Sequence, residues 1–341
     1  MKNLRIFIVL IVMTITYASG FAEIIGDSVA SIVNNWEKGD FAIYRNNSGR
    51  IIIEGRDTIT ERETPETTSK LLLAEVLPND DKVYIVTTEY ADSTAMIKNL
   101  SETSMFSVTS DDETENEDTM QTAKDQAELY AEFLNLMEKP FTVVTDFSGE
   151  LKDIYDYDSL KANLDSCFNH LKAKITTKEI PDGTKLALML NMQRLWNQAV
   201  SKESLMRRCE LFRFYGYNYP FGTTIDHVKL PLLTGDVEVD GTMTFTCEPV
   251  ETEEGTKLVE ISSITSYDSD QVMDYVMSAF LSEEEKKETS LKDPDRPYIS
   301  MTVSENCLYE PKTGTLVEYI WEKRTTTPEK TIIDYKVIEL D

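Results

Sequence analysis

Cys167 and His170 stand three residues apart, the spacing that places a thiol and an imidazole on adjacent turns of a helix. Two chemistries use such a pair: metal ligation and thiolate nucleophilic catalysis. A structural zinc site needs four ligands, and no second Cys/His pair lies nearby. A catalytic thiolate needs a depressed pKa, whereas Cys167 falls on the apolar stripe of its helix, where burial raises it. His227 is the only other histidine, and the His-Glu-x-x-His pattern of zinc proteases does not occur. The chain also lacks the Gly-x-Ser-x-Gly elbow, a Ser-x-x-Lys dyad, any Gly-Lys dipeptide and a Gly-x-Gly-x-x-Gly turn. Residues 146–149 read Asp-Phe-Ser-Gly, but Phe147 is wrong for an aspartic protease turn and the second such hairpin turn has no Asp. Two carboxylates would suffice for glycan hydrolysis, and 61 acidic residues are present without a pattern that selects a pair. Neither a catalytic group nor a metal or cofactor is therefore expected.

The densest unusual segment is 212–221, Phe-Arg-Phe-Tyr-Gly-Tyr-Asn-Tyr-Pro-Phe, with six aromatic residues in ten. Aromatic rings with polar tips either seal a junction between layers or form a platform for sugars, peptides or apolar ligands. Tyr215, Tyr217, Tyr219 and Phe221 are the candidate ligand-binding residues. The tryptophans Trp36, Trp196 and Trp321 are isolated and read as core. Cys167, Cys209, Cys247 and Cys307 are candidate disulfide partners, an even set with three conceivable pairings.

The elements that would position these groups are of both kinds. A short helix is expected over 24–35. Strand-like runs follow at 41–45, 50–56, 70–77 and 82–90, separated by turn-forming residues at 46–49 and 78–81. Residues 242–247 and 299–309 alternate apolar with polar, the pattern of antiparallel strands with one dry face. Glu305 interrupts the dry face and is expected at the rim of the sheet. Helical spacing marks 123–138, 158–171 with Asp158 as cap, 185–198, 202–214 after Ser201, and 270–284. Two helix-then-hairpin units, turning at Ser148-Gly149 and Thr313-Gly314, suggest two related halves. The expected division is 23–157 and 216–341 as β-rich halves with a helical segment at 158–215. The predicted fold class is α+β: strongly curved antiparallel sheets with helices on one face.

Residues 1–22 run from Lys2 and Arg5 through an apolar stretch to small residues, the order of a signal peptide cleaved near Gly20 or Ala22. The expected location is periplasmic or extracellular, with no transmembrane segment in the mature chain. A net charge of −27 with no basic cluster argues against nucleic acid as a partner. The carboxylate-rich runs at 111–118 and 282–288 read as solvated segments rather than calcium loops.

In element order from about Trp36 to Leu340, the chain resembles uncharacterised exported proteins of Gram-negative bacteria. It also resembles a doubled, enlarged version of the LolA-type lipoprotein-carrier fold. That resemblance implies a curved sheet wrapped around helices, able to shelter acyl chains, and carries no specific residues with it. The function expected is an exported non-enzymatic binding protein for a lipid, another apolar small molecule or an envelope protein. A carboxylate-dependent glycan hydrolase and a structural or adhesive surface module are the alternatives.

Overall fold

The computed structural model describes residues 28–55, 57–90, 117–232, 237–252, 255–280 and 298–341. Residues 1–22, expected as a signal peptide, most of 111–118 and the run 282–288 lie outside them. The chain is α+β, dominated by one antiparallel sheet that does not close into a barrel. Its strands in chain order are β2 (Phe41–Glu54), β3 (Asp57–Val76), β4 (Lys82–Tyr90), β5 (Phe141–Thr145) and β6 (Leu151–Ile154), then β8 (Gly222–Pro231), β9 (Glu238–Glu251), β10 (Lys257–Tyr267), β11 (Ser300–Tyr309), β12 (Leu316–Thr326) and β13 (Lys330–Leu340). The spatial order is β6-β5-β4-β3-β2-β13-β12-β11-β10-β9-β8. The two strand groups therefore share one sheet, joined where β2 pairs with β13 from Tyr44↔Leu340 to Glu54↔Lys330. A separate ribbon pairs β1 (Val29–Ile32) with β7 (Tyr217–Pro220). The helix expected over 24–35 does not form in its described part: residues 29–32 are a strand, whose backbone groups are satisfied by β7, and 33–35 are irregular.

The turn expected at 46–49 is also absent. β2 runs straight through it, since β13 on one side and β3 on the other take up its backbone groups. The irregularity appears in β3 instead: Ser48 faces Thr64 and Asn46 faces Thr67, so Pro65 and Glu66 bulge opposite Asn47. A bulge is where a strand tolerates a residue without an N–H. The 78–81 turn forms, with Asp80 at φ 64°.

Among the described residues, five helices accompany the sheet: α1 (Glu117–Met137), α2 (Tyr157–Thr177), α3 (Asp182–Ala199), α4 (Lys202–Arg207) and α5 (Ser269–Phe280). Helices α1 to α3 bury their own core, in which Phe168 stacks on Trp196 at 4.7 Å and the Trp196 indole N–H donates to Asp165 at 2.8 Å. Asp158 lies in the first turn of α2 rather than capping it; Asp156 takes the cap position in a left-handed conformation. Ser201 caps α4 as expected, its hydroxyl accepting from the Ser204 amide at 3.1 Å. α5 packs on β8, β9 and β11 through Val272, Leu230, Val239 and Met301. Among the described residues, no helix is long and apolar enough to cross a membrane.

The main core lies on one face of the sheet, here called the core face. Leu73, Tyr84, Val143, Cys247, Ile261, Cys307, Tyr309 and Tyr319 cover it, and the β1–β7 ribbon with residues 205–215 packs onto them. Each fully buried apolar side chain of this size contributes about 1.5–3 kcal/mol. Both hairpin turns singled out by sequence reach the same short segment. The Asn34 amide donates to the Ser148 carbonyl at 2.9 Å, and the Asn35 amide donates to the Thr313 carbonyl at 2.9 Å.

Candidate functional site

The site is built around residues 205–221. The helix expected over 202–214 stops at Arg207 and continues as a 3-10 turn, Glu210–Phe212. Burial of the rings ends it. Phe212 and Tyr215 are drawn into the core, and the chain bends at Phe214 (φ 64°) and Gly216 (φ 86°) to deliver them. Phe212 meets Tyr84 edge-on at 5.0 Å, and Tyr215 meets Tyr309 edge-on at 5.4 Å. Buried phenols need partners for their hydroxyls, and main-chain carbonyls supply them. Tyr215 donates to the Gly314 carbonyl and Tyr309 to the Arg213 carbonyl. Burial pushes both phenols well above their ordinary pKa, so they act as neutral donors.

Two ion pairs fasten this segment to the sheet. Glu210 pairs with Lys336 of β13, and Arg213 reaches Glu305 of β11 at 2.7 Å. Trp321 of β12 stands between the two anchors, opposite Glu305 on one side and Lys336 on the other. Glu305 is thus on the core face within the sheet rather than at its rim. Its side chain is 11 % exposed and its carboxylate also accepts from Ser263 and Tyr319, each at 3.4 Å. Burial alone would lower the Arg213 pKa, but the adjacent Glu305 carboxylate outweighs it and holds the guanidinium above its usual value.

Beyond these anchors the core face is only partly covered. Strand register lines up Met243, Thr265, Val303, Lys323, Asp334 and Arg50 across six strands, with Trp321 on one side and Ile332 and Ile52 on the other. Met243, Val303, Trp321, Lys323, Ile332 and Ile52 are all intermediate in exposure. Arg50 donates to Asp334 at 2.6 Å. The arrangement is a strip of apolar side chains edged by charges, suited chemically to an amphipathic molecule.

Of the four aromatic candidates, Tyr217 and Tyr219 sit side by side on β7 with ring centroids 6.2 Å apart, and they and Phe221 stay partly exposed. Tyr215, 3 % exposed, is core and cannot meet a ligand. Tyr217 donates to Glu150 at 2.9 Å. Tyr219 stacks on Phe245 at 5.3 Å and donates to the Phe214 carbonyl at 2.9 Å, while Phe221 packs against the main core. The segment seals the sheet, and the open strip lies next to it.

All four cysteines are free thiols, so the bridges considered for them are not made. Cys247 and Cys307 both face Ile261 from opposite sides. Two strand spacings, about 9–10 Å, exceed the span of a disulfide. Burial pushes the Cys209 and Cys247 thiols up to about 12 and raises Cys307 as well. Cys167 accepts a hydrogen bond from Lys139 at 3.0 Å, and His170 is exposed on α2. Among the described residues, no cluster of three metal-ligating side chains occurs. A cavity between the helices and β5, lined by Leu136, Phe141, Leu164, Val200 and Arg208, measures about 10 Å³, room for one water at most.

Trp321 and Lys323 were not singled out by sequence reasoning as ligand contacts. The usable signal was parity: Tyr319, Trp321 and Lys323 alternate, so Lys323 occupies a position belonging to the dry face. No protein-family profile matches this chain, and no curated protein sequence matches it.

Proposed function

We propose that this chain is an exported, non-enzymatic binding protein that holds an apolar or amphipathic molecule on the core face of its sheet. The observation that carries the reading is the half-covered strip formed by Ile52, Met243, Val303, Trp321 and Ile332 beside a face that is otherwise filled. Apolar side chains gathered on one face and left partly in water gain by covering, and a hydrocarbon chain covers them without further folding. The carboxylates around the strip support binding over hydrolysis. Glu210, Glu305 and Asp334 are each tied to a cation, so none of the three stands as an unpaired acid beside the strip.

On this reading the sheet curves round its contents, and its two strand groups are related halves. Each group carries one helix between neighbouring strands, α1 between β4 and β5 and α5 between β10 and β11. Both groups also cross the sheet in the same direction along the chain.

Native mass spectrometry of protein purified from an exporting host, before and after solvent extraction, tests the reading. It expects extra mass that extraction removes and that is identified as an apolar or amphipathic compound. A mass unchanged by extraction, with no uptake of added amphiphile, contradicts it.

A further inference from the structure

Four cations surround Trp321 on the core face, and three carboxylates answer them. Arg50 pairs with Asp334, Lys336 with Glu210, and Arg213 with Glu305. Lys323 is left over: among the described residues its side-chain amine has no ion-pair or hydrogen-bond partner. Its cross-strand neighbour is Asp334, the natural partner for a lysine at that position, but Arg50 holds that carboxylate from the opposite strand. The unpaired amine is flanked by Val303 directly across and by Trp321 two residues along the strand. It is therefore a partly buried positive charge set in an apolar strip.

From this juxtaposition we propose that the ligand is an amphiphile with an anionic headgroup, a long-chain carboxylate, whose headgroup pairs with Lys323 and whose hydrocarbon lies along Trp321, Val303 and Ile332. The inference rests on the binding function proposed above and adds the sign of the headgroup. Charge complementarity selects the occupant. A neutral amphiphile leaves the amine uncompensated as it covers the strip, and a cationic one adds repulsion. The net charge of −27 opposes an anion at long range, but salt screens that field beyond about 8 Å. At contact, the local pair decides.

The test is titration calorimetry of the full chain with oleate, oleyl alcohol and oleylamine, which share one hydrocarbon chain and differ in headgroup. Oleate is expected to bind at least about tenfold more tightly than the alcohol, with the amine weakest. Lys323→Gln is expected to remove that preference by weakening oleate alone, and Lys323→Glu to abolish oleate binding. Because Lys323 makes no contact that the fold needs, both variants should keep the wild-type circular dichroism. Equal binding of oleate and alcohol, unchanged in Lys323→Gln, would overturn the headgroup assignment while the binding reading stands. Failure of all three compounds to bind would overturn both.

Discussion

Arg213 and Glu305 face each other across 2.7 Å at the border between the filled and the open parts of the core face. On one side the aromatic segment closes the core; on the other, Trp321, Val303 and Lys323 are left partly exposed. Removing the guanidinium strands a carboxylate that is 11 % exposed. Arg213→Met is therefore expected to destabilise the protein by about 1–3 kcal/mol, and Arg213→Met with Glu305→Gln by less, because no lone charge remains. Urea unfolding of the two variants checks the order.

Gly314 and Gly149 are required for different degrees of closeness. A Cβ on Gly314 would stand 2.0 Å from the Val33 carbonyl oxygen, and one on Gly149 would stand 2.9 Å from the Asn34 Cβ. Both have positive φ, 67° and 98°. Gly39 shares φ 98° but has nothing within 4 Å. Gly39→Ala should cost about 1–2 kcal/mol from the backbone alone, and Gly314→Ala substantially more. Thermal unfolding of the three alanine variants should rank them Gly314, Gly149, Gly39.

Thiol accessibility follows burial. Cys209, Cys247 and Cys307 are each at most 4 % exposed, whereas Cys167 is partly exposed beside the Lys139 ammonium. A chromogenic disulfide reagent is expected to label Cys167 in the native protein and the remaining thiols only on unfolding. Rapid native labelling of Cys247 or Cys307 would contradict the packing described.

Alkaline pH should destabilise the fold through the same thiols. Burial raises Cys209 and Cys247 to about 12 from an ordinary 9.0. Above pH 9.0 the unfolded chain releases thiol protons that the folded chain keeps, so the unfolded state binds fewer protons and stability falls. Their contribution is complete below pH 9.0 and lost as pH rises towards about 12. Buried tyrosines such as Tyr215 and Tyr309 act in the same sense from higher pH. Urea midpoints across this range should drop, and Cys209→Ala with Cys247→Ala should flatten the first part of the drop.

The sequence was legible where local chemistry and tertiary structure agree. Ser148-Gly149 and Thr313-Gly314 turn as their residues require, Ser201 caps its helix, and Cys247, Met301 and Cys307 lie on the dry parity of their strands. It misled where pairing overrode propensity. Asn46 to Gly49 would turn in isolation, yet two neighbouring strands hold them extended. β3 went partly unread because residues 57–69 are polar and charged, without apolar alternation. The candidate site was half legible. The aromatic segment borders the proposed strip; Tyr215 is spent on the core, while Tyr217, Tyr219 and Phe221 stay partly exposed. The strip beside it is assembled across six strands, β2 and β9 to β13, so no local window contains it. Glu305 and Lys323, charged residues on a dry parity, were the available signs.

The most direct test of a ligand on this strip is tryptophan quenching by a brominated long-chain fatty acid. Trp36 and Trp196 are 7 % and 1 % exposed, in the main core and the helical core, while Trp321 lies on the strip. A bromine atom quenches only on near contact, so the account expects saturable quenching in the wild-type chain that Trp321→Phe removes. Quenching that persists in Trp321→Phe, or none in the wild type at saturating ligand, would contradict it.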